Sequence, residues 1–484
     1  MSIKMKKNLL GISLISALAF VGCSSDSDNE GIILPSTTAG EQVAGSSSSQ
    51  NQIPDELEYN YELLNFYYFY AHLDNELSED IQDYYNSPFQ DSYGYSACTI
   101  RYTDVCYMYS KMQDRFTRYY DPNYASRVYA MLNESESAVG IGAEIDSVAA
   151  GDQGALVFSQ VYPKSPAEKA GVKANDTLLT VENTVPGSTK ALETLLTGKE
   201  GDSVAVEVKR GQDTLAMKIE IAQYQVPTVF VSYKDSIPVI HITEFTSKTV
   251  NDSGTYAEFK EALRATEGAK ATIIDLRDNP GGDVDQCNSI SAELLSNGDT
   301  VIIDIETNVD STFKNGKFNY VQVFDTVTYT ATRDGIGKDR YYVFLSSDTS
   351  ASCAEVLLSA MTVNRKSPVV GLNSYGKGIG QYLLPTVKNG LALITGLRSM
   401  DKNGDVYHTF GIAPDFEIED PDEQLAKAVE LAKDPFKIEH TAGYGKENTG
   451  NFLKKARPAS SEGFFPKNRK EFYKSLNGAL RNKK

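Results

Sequence analysis

The sequence has no tryptophan and only four histidines in 484 residues: His72, His241, His408 and His440. A serine–histidine–aspartate site needs one of those four. His72 falls in a helical pattern, His440 in the tail and His241 inside an apolar strand pattern. His408, in a polar turn, is the one competitor left. Cysteine is also scarce: five residues, with no Cys-x-x-Cys and no His/Cys pair at metal-ligand spacing, so no metal site is expected. Beyond the extreme N-terminus no apolar run approaches roughly 18 residues, which excludes a multi-span membrane protein. Basic residues are in deficit. Against 65 Asp and Glu stand 47 Lys and Arg, a net charge of −18, and that sign argues against a nucleic-acid partner.

What is present is ordinary for a folded chain. With 41% apolar and 23% charged residues the chain buries a core and is not disordered throughout. At roughly 100–200 residues per domain, its length predicts two to four domains. Charge is uneven: Pro435–Lys484 holds 12 Lys and Arg against 4 Asp and Glu, so an acidic body precedes a basic tail. Neither feature names a partner.

Met1–Gly22 reads as a signal peptide, with Lys4, Lys6 and Lys7 ahead of a short apolar run. The run ends in Phe20-Val21-Gly22-Cys23, which resembles a bacterial lipoprotein box with Phe20 where Leu is usual. On that reading Cys23 is lipidated and anchors the chain to a membrane of the bacterial cell envelope, periplasmic or facing the surface; the alternative is ordinary secretion. Residues 23–53, rich in Ser, Asp, Gly and Thr, read as a disordered tether. In an oxidising compartment Cys98 and Cys106 either bridge or remain buried thiols. Cys287 and Cys353 lie in apolar helical patterns.

Residues 54–134 look helical, with Leu57, Tyr61, Leu64 and Tyr68 at three- and four-residue spacing and a second stripe over Val105–Tyr120. Residues 135–224 change to short alternating strands with one helix, Thr189–Leu196. Residues 225–434 alternate continuous apolar strands (Pro238–Ile242, Ala271–Leu276, Arg340–Ser346, Pro368–Leu372) with helices (Thr255–Ala265, Val284–Ser296, Ala351–Val363). This predicts an α/β domain with a mainly parallel, covered sheet. The polar stretch Asn308–Lys338 reads as an insertion, and residues 435–484 as an irregular basic tail.

Sites in parallel sheets form where strands end. Three successive strand exits carry unusual residues: Arg277–Gly282, Ser347–Glu355 and Asn373–Gln381. Ser352 sits where a helix begins, and free N–H groups there favour a developing negative charge. Lys377 serves as its base only if neutral, which burial can achieve. Gln381 is placed to accept a hydrogen bond from that amine and orient it. The Gly281-Gly282 turn can set a bare N–H opposite the N–H of Cys353, making an oxyanion hole. Cys353, as a more reactive thiol, and Ser350, two residues earlier, are rival nucleophiles.

At these residues the sequence resembles the C-terminal processing peptidases, or tail-specific serine proteases, over about Leu57 to Leu431. The matching elements are Ser350-Ala351-Ser352-Cys353-Ala354-Glu355, Gly376–Gln381, Asp275–Gly282, Gly411–Asp415 and Met112–Tyr119. Cys353 and Ala354 depart from the family's commoner Ala-Ser. The resemblance implies a crotonase-like (ClpP-like) core with an inserted PDZ domain and a helical N-terminal region. It also implies a Ser352/Lys377 dyad supported by Gln381, with no metal or organic cofactor. Val139-Gly140-Ile141-Gly142 corresponds to a PDZ carboxylate-binding loop, and Ser165-Pro166-Ala167 with Ala170-Gly171-Val172 fits the same domain. The implied partners are polypeptide substrates held by their C-terminal tails, and a homo-oligomer or an activating partner is compatible with it. The rival functions are a non-catalytic or partner-gated PDZ-bearing binding lipoprotein and a small-ester esterase.

Overall fold

A computed structural model describes residues 55–434, apart from 73–75, 149–154, 188–191, 193–195, 197 and 315–316. Cys23, the signal peptide, the tether and the basic tail lie outside the described residues. Residues 133–230 with 246–258 form one compact unit, and the remaining described residues form a second.

In the second unit the chain opens with helix α1 (Glu56–Tyr67), whose first N–H is capped by the Asp55 carboxylate. Strands β1 (Ser92–Tyr93) and β2 (Ser96–Ala97), helix α2 (Thr103–Tyr109), strand β3 (Arg118–Tyr120) and helix α3 (Pro122–Asn133) follow. The stripe expected to run helical through Tyr120 ends at Tyr109. Further on, the Asp114 carboxylate accepts from the Phe116 N–H and the Thr117 hydroxyl, a local turn that takes the place of helix there. Tyr68, Tyr109 and Tyr119 are fully buried beside Leu63, Leu64 and Met108, so these three tyrosines are packing residues.

The first unit contains β4 (Ser137–Gly140), β5 (Ala143–Val148), β6 (Ala155–Val161), the single helical turn α4 (Pro166–Lys169) and β7 (Thr177–Val181). Strands β8 (Ser203–Arg210), β9 (Asp213–Glu220) and β10 (Ala222–Gln225) complete it. Its five-stranded antiparallel sheet runs β5-β6-β7-β8-β9, with β5 at an edge, and β4 pairs with β10. In β8 the burial alternates strictly, and Val204, Val206 and Val208 face a core with Phe158 and Ile219. Of the helix expected over Thr189–Leu196, most residues lie outside the described set; Leu192 and Leu196 are helical.

Back in the second unit, β12 (Ile237–Ile242), which follows β11 (Val229–Lys234), leads through α5 (Gly254–Ala265) to β13 (Ala271–Asp275) and α6 (Val284–Leu294). Then come β16 (Tyr341–Ser346), α7 (Cys353–Arg365), β17 (Val369–Gly371), β20 (Phe416–Glu417) and α8 (Pro421–Lys433). Strands β12, β13, β16, β17 and β20 are parallel in that order. Every β13 residue is buried, as expected of a strand covered on both faces. Val239, Ile273, Val343, Leu345 and Val370 pack against Ala428, Val429 and Ala432 of α8.

Much of the stretch read as an insertion lies in a long antiparallel hairpin, β14 (Thr300–Lys314) with β15 (Lys317–Thr330). It extends a second sheet in which β14 also pairs β19 (Leu391–Met400), and β19 pairs β18 (Ile379–Pro385) and β3. Among the described residues no helix is long and apolar enough to cross a membrane.

Candidate functional site

Because β13, β16 and β17 are parallel, the loops that follow them leave one sheet edge, and hydrogen bonds tie them together. Ala351 N–H donates to Asn279 O at 2.9 Å, the Ser350 hydroxyl to Leu276 O at 2.8 Å, and Tyr375 N–H to Ser350 O at 2.9 Å. Ser350 also accepts from Ser347 N–H at 2.8 Å and is fully buried. Its hydroxyl proton is committed to a carbonyl, which removes it as a nucleophile.

Ser352 is the residue before α7 and has φ 54° and ψ −116°. A non-glycine residue at such angles is strained and persists only where its surroundings over-determine it. Gly281 is one reason it holds. A Cβ on Gly281, whose own φ is +105°, would lie 2.7 Å from Ala351 O and 2.8 Å from Ser352 Cβ, so only glycine lets this turn press against the serine. The Gly281 N–H, however, donates to Asn279 Oδ1 at 2.8 Å. It is not the bare donor expected from the sequence.

Glu355 organises the other side. It is fully buried. Its Oε1 accepts from the Ser374 hydroxyl and from Gly376 N–H, both at 2.6 Å. Its Oε2 accepts from Lys377 N–H at 2.7 Å and from Ser352 N–H at 2.9 Å. One oxygen atom therefore ties the backbone of the serine to that of the lysine. Burial pushes the Glu355 carboxyl up to about 7, against the pull of its four donors.

Lys377 is 2% exposed. Burial holds its amine well below the ordinary lysine range, and Arg118 and Arg115 add to that, while Asp114 and Glu355 act against it. Its Nζ lies 4.7 Å from the centre of the Phe116 ring. Gly376, with φ +90°, has backbone of Thr409 and Gly411 where a Cβ would be, which lets the lysine loop close tightly. Gln381, on β18, is fully buried and donates through Nε2 to the Thr395 hydroxyl at 2.8 Å.

His408 accepts at Nδ1 from Gly378 N–H at 3.2 Å, and burial lowers its pKa to about 3. It braces the lysine loop as a neutral ring. Cys353 forms a disulfide with Cys287 of α6, so it is not a free thiol and does not rival Ser352; the sequence places both cysteines in apolar helical patterns and does not pair them. Cys98 and Cys106 are also bridged. Among the described residues no group of three or more His, Cys, Asp or Glu side chains is placed to hold a metal.

In the first unit, Val139 and Gly140 lie in the ladder with β10, opposite Gln223 and Ala222. Val139 is 54% exposed while Ile141 is buried. Gly142 has φ +68°, and its carbonyl accepts from Tyr162 N–H at 2.9 Å.

Residues 236–418 match the model of Peptidase family S41, and residues 157–210 match a PDZ domain model. The chain therefore carries an S41-type peptidase domain and a PDZ-type domain. Among its relatives, "Carboxy-terminal processing protease CtpB" of Bacillus subtilis (strain 168) is 30% identical over 343 residues, covering 69% of this chain and 65% of that protein. The match thus spans just under two thirds of that relative's length. A "Probable CtpA-like serine protease" of Staphylococcus haemolyticus (strain JCSC1435) is 26% identical over 432 residues, 88% of this chain and 74% of that protein. Among solved structures, a putative S41 protease from Bacteroides fragilis NCTC 9343 aligns at 14% identity over 78% of this chain and 94% of its own, with a TM-score of 0.44. The S41 domain holds Ser352, Lys377, Gln381 and Gly282, whereas Asp114, Phe116 and Arg118, which face the lysine, come from N-terminal to it. Sequence reasoning did not assign Glu355 its four donors. The Ser-x-x-Glu spacing of a capping box was the available signal, and it shows only the contact with Ser352.

Proposed function

We propose that the chain is a serine endopeptidase acting on exported polypeptides. Ser352 is the nucleophile and Lys377 its general base, on a crotonase-like core that follows a largely helical N-terminal region. The observation that carries this reading is the shared Glu355 oxygen, which holds a strained serine and a buried lysine on adjacent loops.

The lysine, kept neutral by burial, takes the Ser352 proton as Oγ attacks the scissile carbonyl. The tetrahedral oxyanion is met by the N–H groups of Cys353, the first residue of α7, and of Gly282. The protonated amine then gives its proton to the leaving nitrogen, and water, deprotonated by the same lysine, hydrolyses the acyl-enzyme. These steps call on no metal or organic cofactor. Gln381 supports the lysine. Residues 135–224 act as a PDZ domain: the loop Val139–Gly142 receives a substrate's terminal carboxylate, and the tail adds as a strand along edge strand β5. Cys23 carries a lipid that anchors the enzyme to the cell envelope.

The test is hydrolysis of an unfolded protein by wild type, Ser352→Ala and Lys377→Ala, with binding of a C-terminal peptide measured in parallel. Cleavage by wild type alone supports the peptidase. Peptide binding by all three proteins without cleavage by any supports a binding protein instead.

A further inference from the structure

A neutral lysine amine has two N–H bonds and one lone pair, and only the lone pair can take the serine proton. A neighbouring amide therefore helps or harms according to which end it presents. A carbonyl oxygen accepts an N–H and leaves the lone pair free, whereas an NH2 group competes for the lone pair. The orientation of Gln381 decides between these, and its partners fix it.

Thr395 is fully buried on β19, and its hydroxyl donates to Asp114 Oδ2. That carboxylate can only accept, and it also receives the Thr117 hydroxyl at 2.8 Å and, on Oδ1, Phe116 N–H at 2.9 Å. The Thr395 hydroxyl has a single proton, and Asp114 takes it. Its oxygen can then only accept from Gln381, which must present its nitrogen, at 2.8 Å. The Thr395 backbone is pinned as well, since its N–H donates to the Thr117 hydroxyl at 3.0 Å. The chain of bonds runs one way, from amide to hydroxyl to carboxylate. The turn at which it ends also supplies Phe116, against the Lys377 amine.

We propose that Asp114 and Thr395 are positioning residues for the lysine: their one-way hydrogen-bond chain locks the Gln381 amide with its carbonyl oxygen turned to the Lys377 amine, leaving the lone pair for Ser352. The proposal rests on the Ser352/Lys377 reading above. Both residues act through Gln381.

The experiment compares full-length wild type, Thr395→Val, Thr395→Ser and Asp114→Asn with Ser352→Ala and Lys377→Ala. Peptide hydrolysis gives kcat and KM separately, and a fluorophosphonate gives the acylation rate. Thr395→Val keeps the shape and removes the hydroxyl; its kcat and acylation rate are expected to fall about tenfold to hundredfold with KM unchanged, and Thr395→Ser to restore most of the loss. If Thr395→Val fails to fold, Asp114→Asn, which no longer forces the direction of the Thr395 proton, is expected to show the same kcat-selective loss. Wild-type kcat in a folded Thr395→Val, or equal losses in the Val and Ser variants, overturns the proposal. For an unfolded Thr395→Val, wild-type kcat in Asp114→Asn does the same. Turnover by Ser352→Ala or Lys377→Ala overturns the dyad itself, a separate outcome.

Discussion

Replacing Glu355 with glutamine changes one oxygen for an NH2 group, and the cost follows from the four donors. If the NH2 faces Ser352 and Lys377, two buried N–H groups lose their acceptor. If it faces Ser374 and Gly376, the serine hydroxyl can turn to accept, and only the Gly376 N–H is orphaned. The second orientation is the cheaper one. One orphaned buried N–H, at about 1–3 kcal/mol, with three bonds weakened by loss of charge, gives a destabilisation of about 3 kcal/mol. For a unit of this size that is a fall in Tm of roughly 6–12 °C. The lysine loop loses an anchor, and kcat/KM is expected to fall about tenfold to hundredfold. The carboxyl also leaves a pH signature. Its folded pKa of about 7 lies above the ordinary 4.5, so the folded protein binds a proton more tightly than the unfolded chain. The stability it contributes is full below pH 4.5 and is lost as pH rises through 7. The difference is about 3 kcal/mol, and the glutamine variant lacks it. Chemical denaturation of both proteins between pH 4.5 and 8 measures this directly. A stability gap between wild type and variant that does not change across that window, with wild-type kcat/KM, refutes the assignment of Glu355 as the shared anchor.

Gly281→Ala places a Cβ 2.8 Å from Ser352 Cβ at a positive φ; kcat/KM is expected to fall about hundredfold while circular dichroism stays native. The Cys287–Cys353 bridge closes a loop with a sequence separation of 66, for which chain entropy gives about 4 kcal/mol. Dithiothreitol should lower the Tm of a Cys98→Ala/Cys106→Ala variant but not that of Cys98→Ala/Cys106→Ala/Cys287→Ala/Cys353→Ala. In the first unit, Gly142→Ala drives a Cβ to 2.4 Å from Ser165 Cβ; calorimetry should show weaker binding of a peptide with a free C-terminal carboxylate.

The strands β13 and β16 are readable because they are almost wholly buried, so apolar residues such as Ile273, Ile274, Val343, Phe344 and Leu345 follow one another without alternation. Helix α7 was placed two residues early: Ala351 and Ser352 look helical in pattern, but the positive φ of Ser352 delays the start to Cys353. The stretch Asn308–Lys338, most of which forms the distal part of the hairpin β14–β15, reads as an insertion because polar residues interrupt its apolar ones. The hairpin's order comes from cross-strand pairing of β14 with β15 and β19, which no local window contains. Three loops of the site were visible as successive strand exits. Their joining through Glu355 was not, since three of its four donors come from residues 19–22 positions further on. Nor was the Cys287–Cys353 link, because each cysteine fits its own helix's apolar face.

The most direct measurement is the rate at which a fluorophosphonate labels Ser352, followed by intact mass and peptide mapping from pH 5 to 9. The account predicts one adduct, on Ser352. Its rate should climb as the medium becomes less acidic, because the lysine amine loses its proton at a pH well under the ordinary lysine value. The same label should be nearly absent from Lys377→Ala. An adduct on another residue, a pH-independent rate, or undiminished labelling of Lys377→Ala would contradict it.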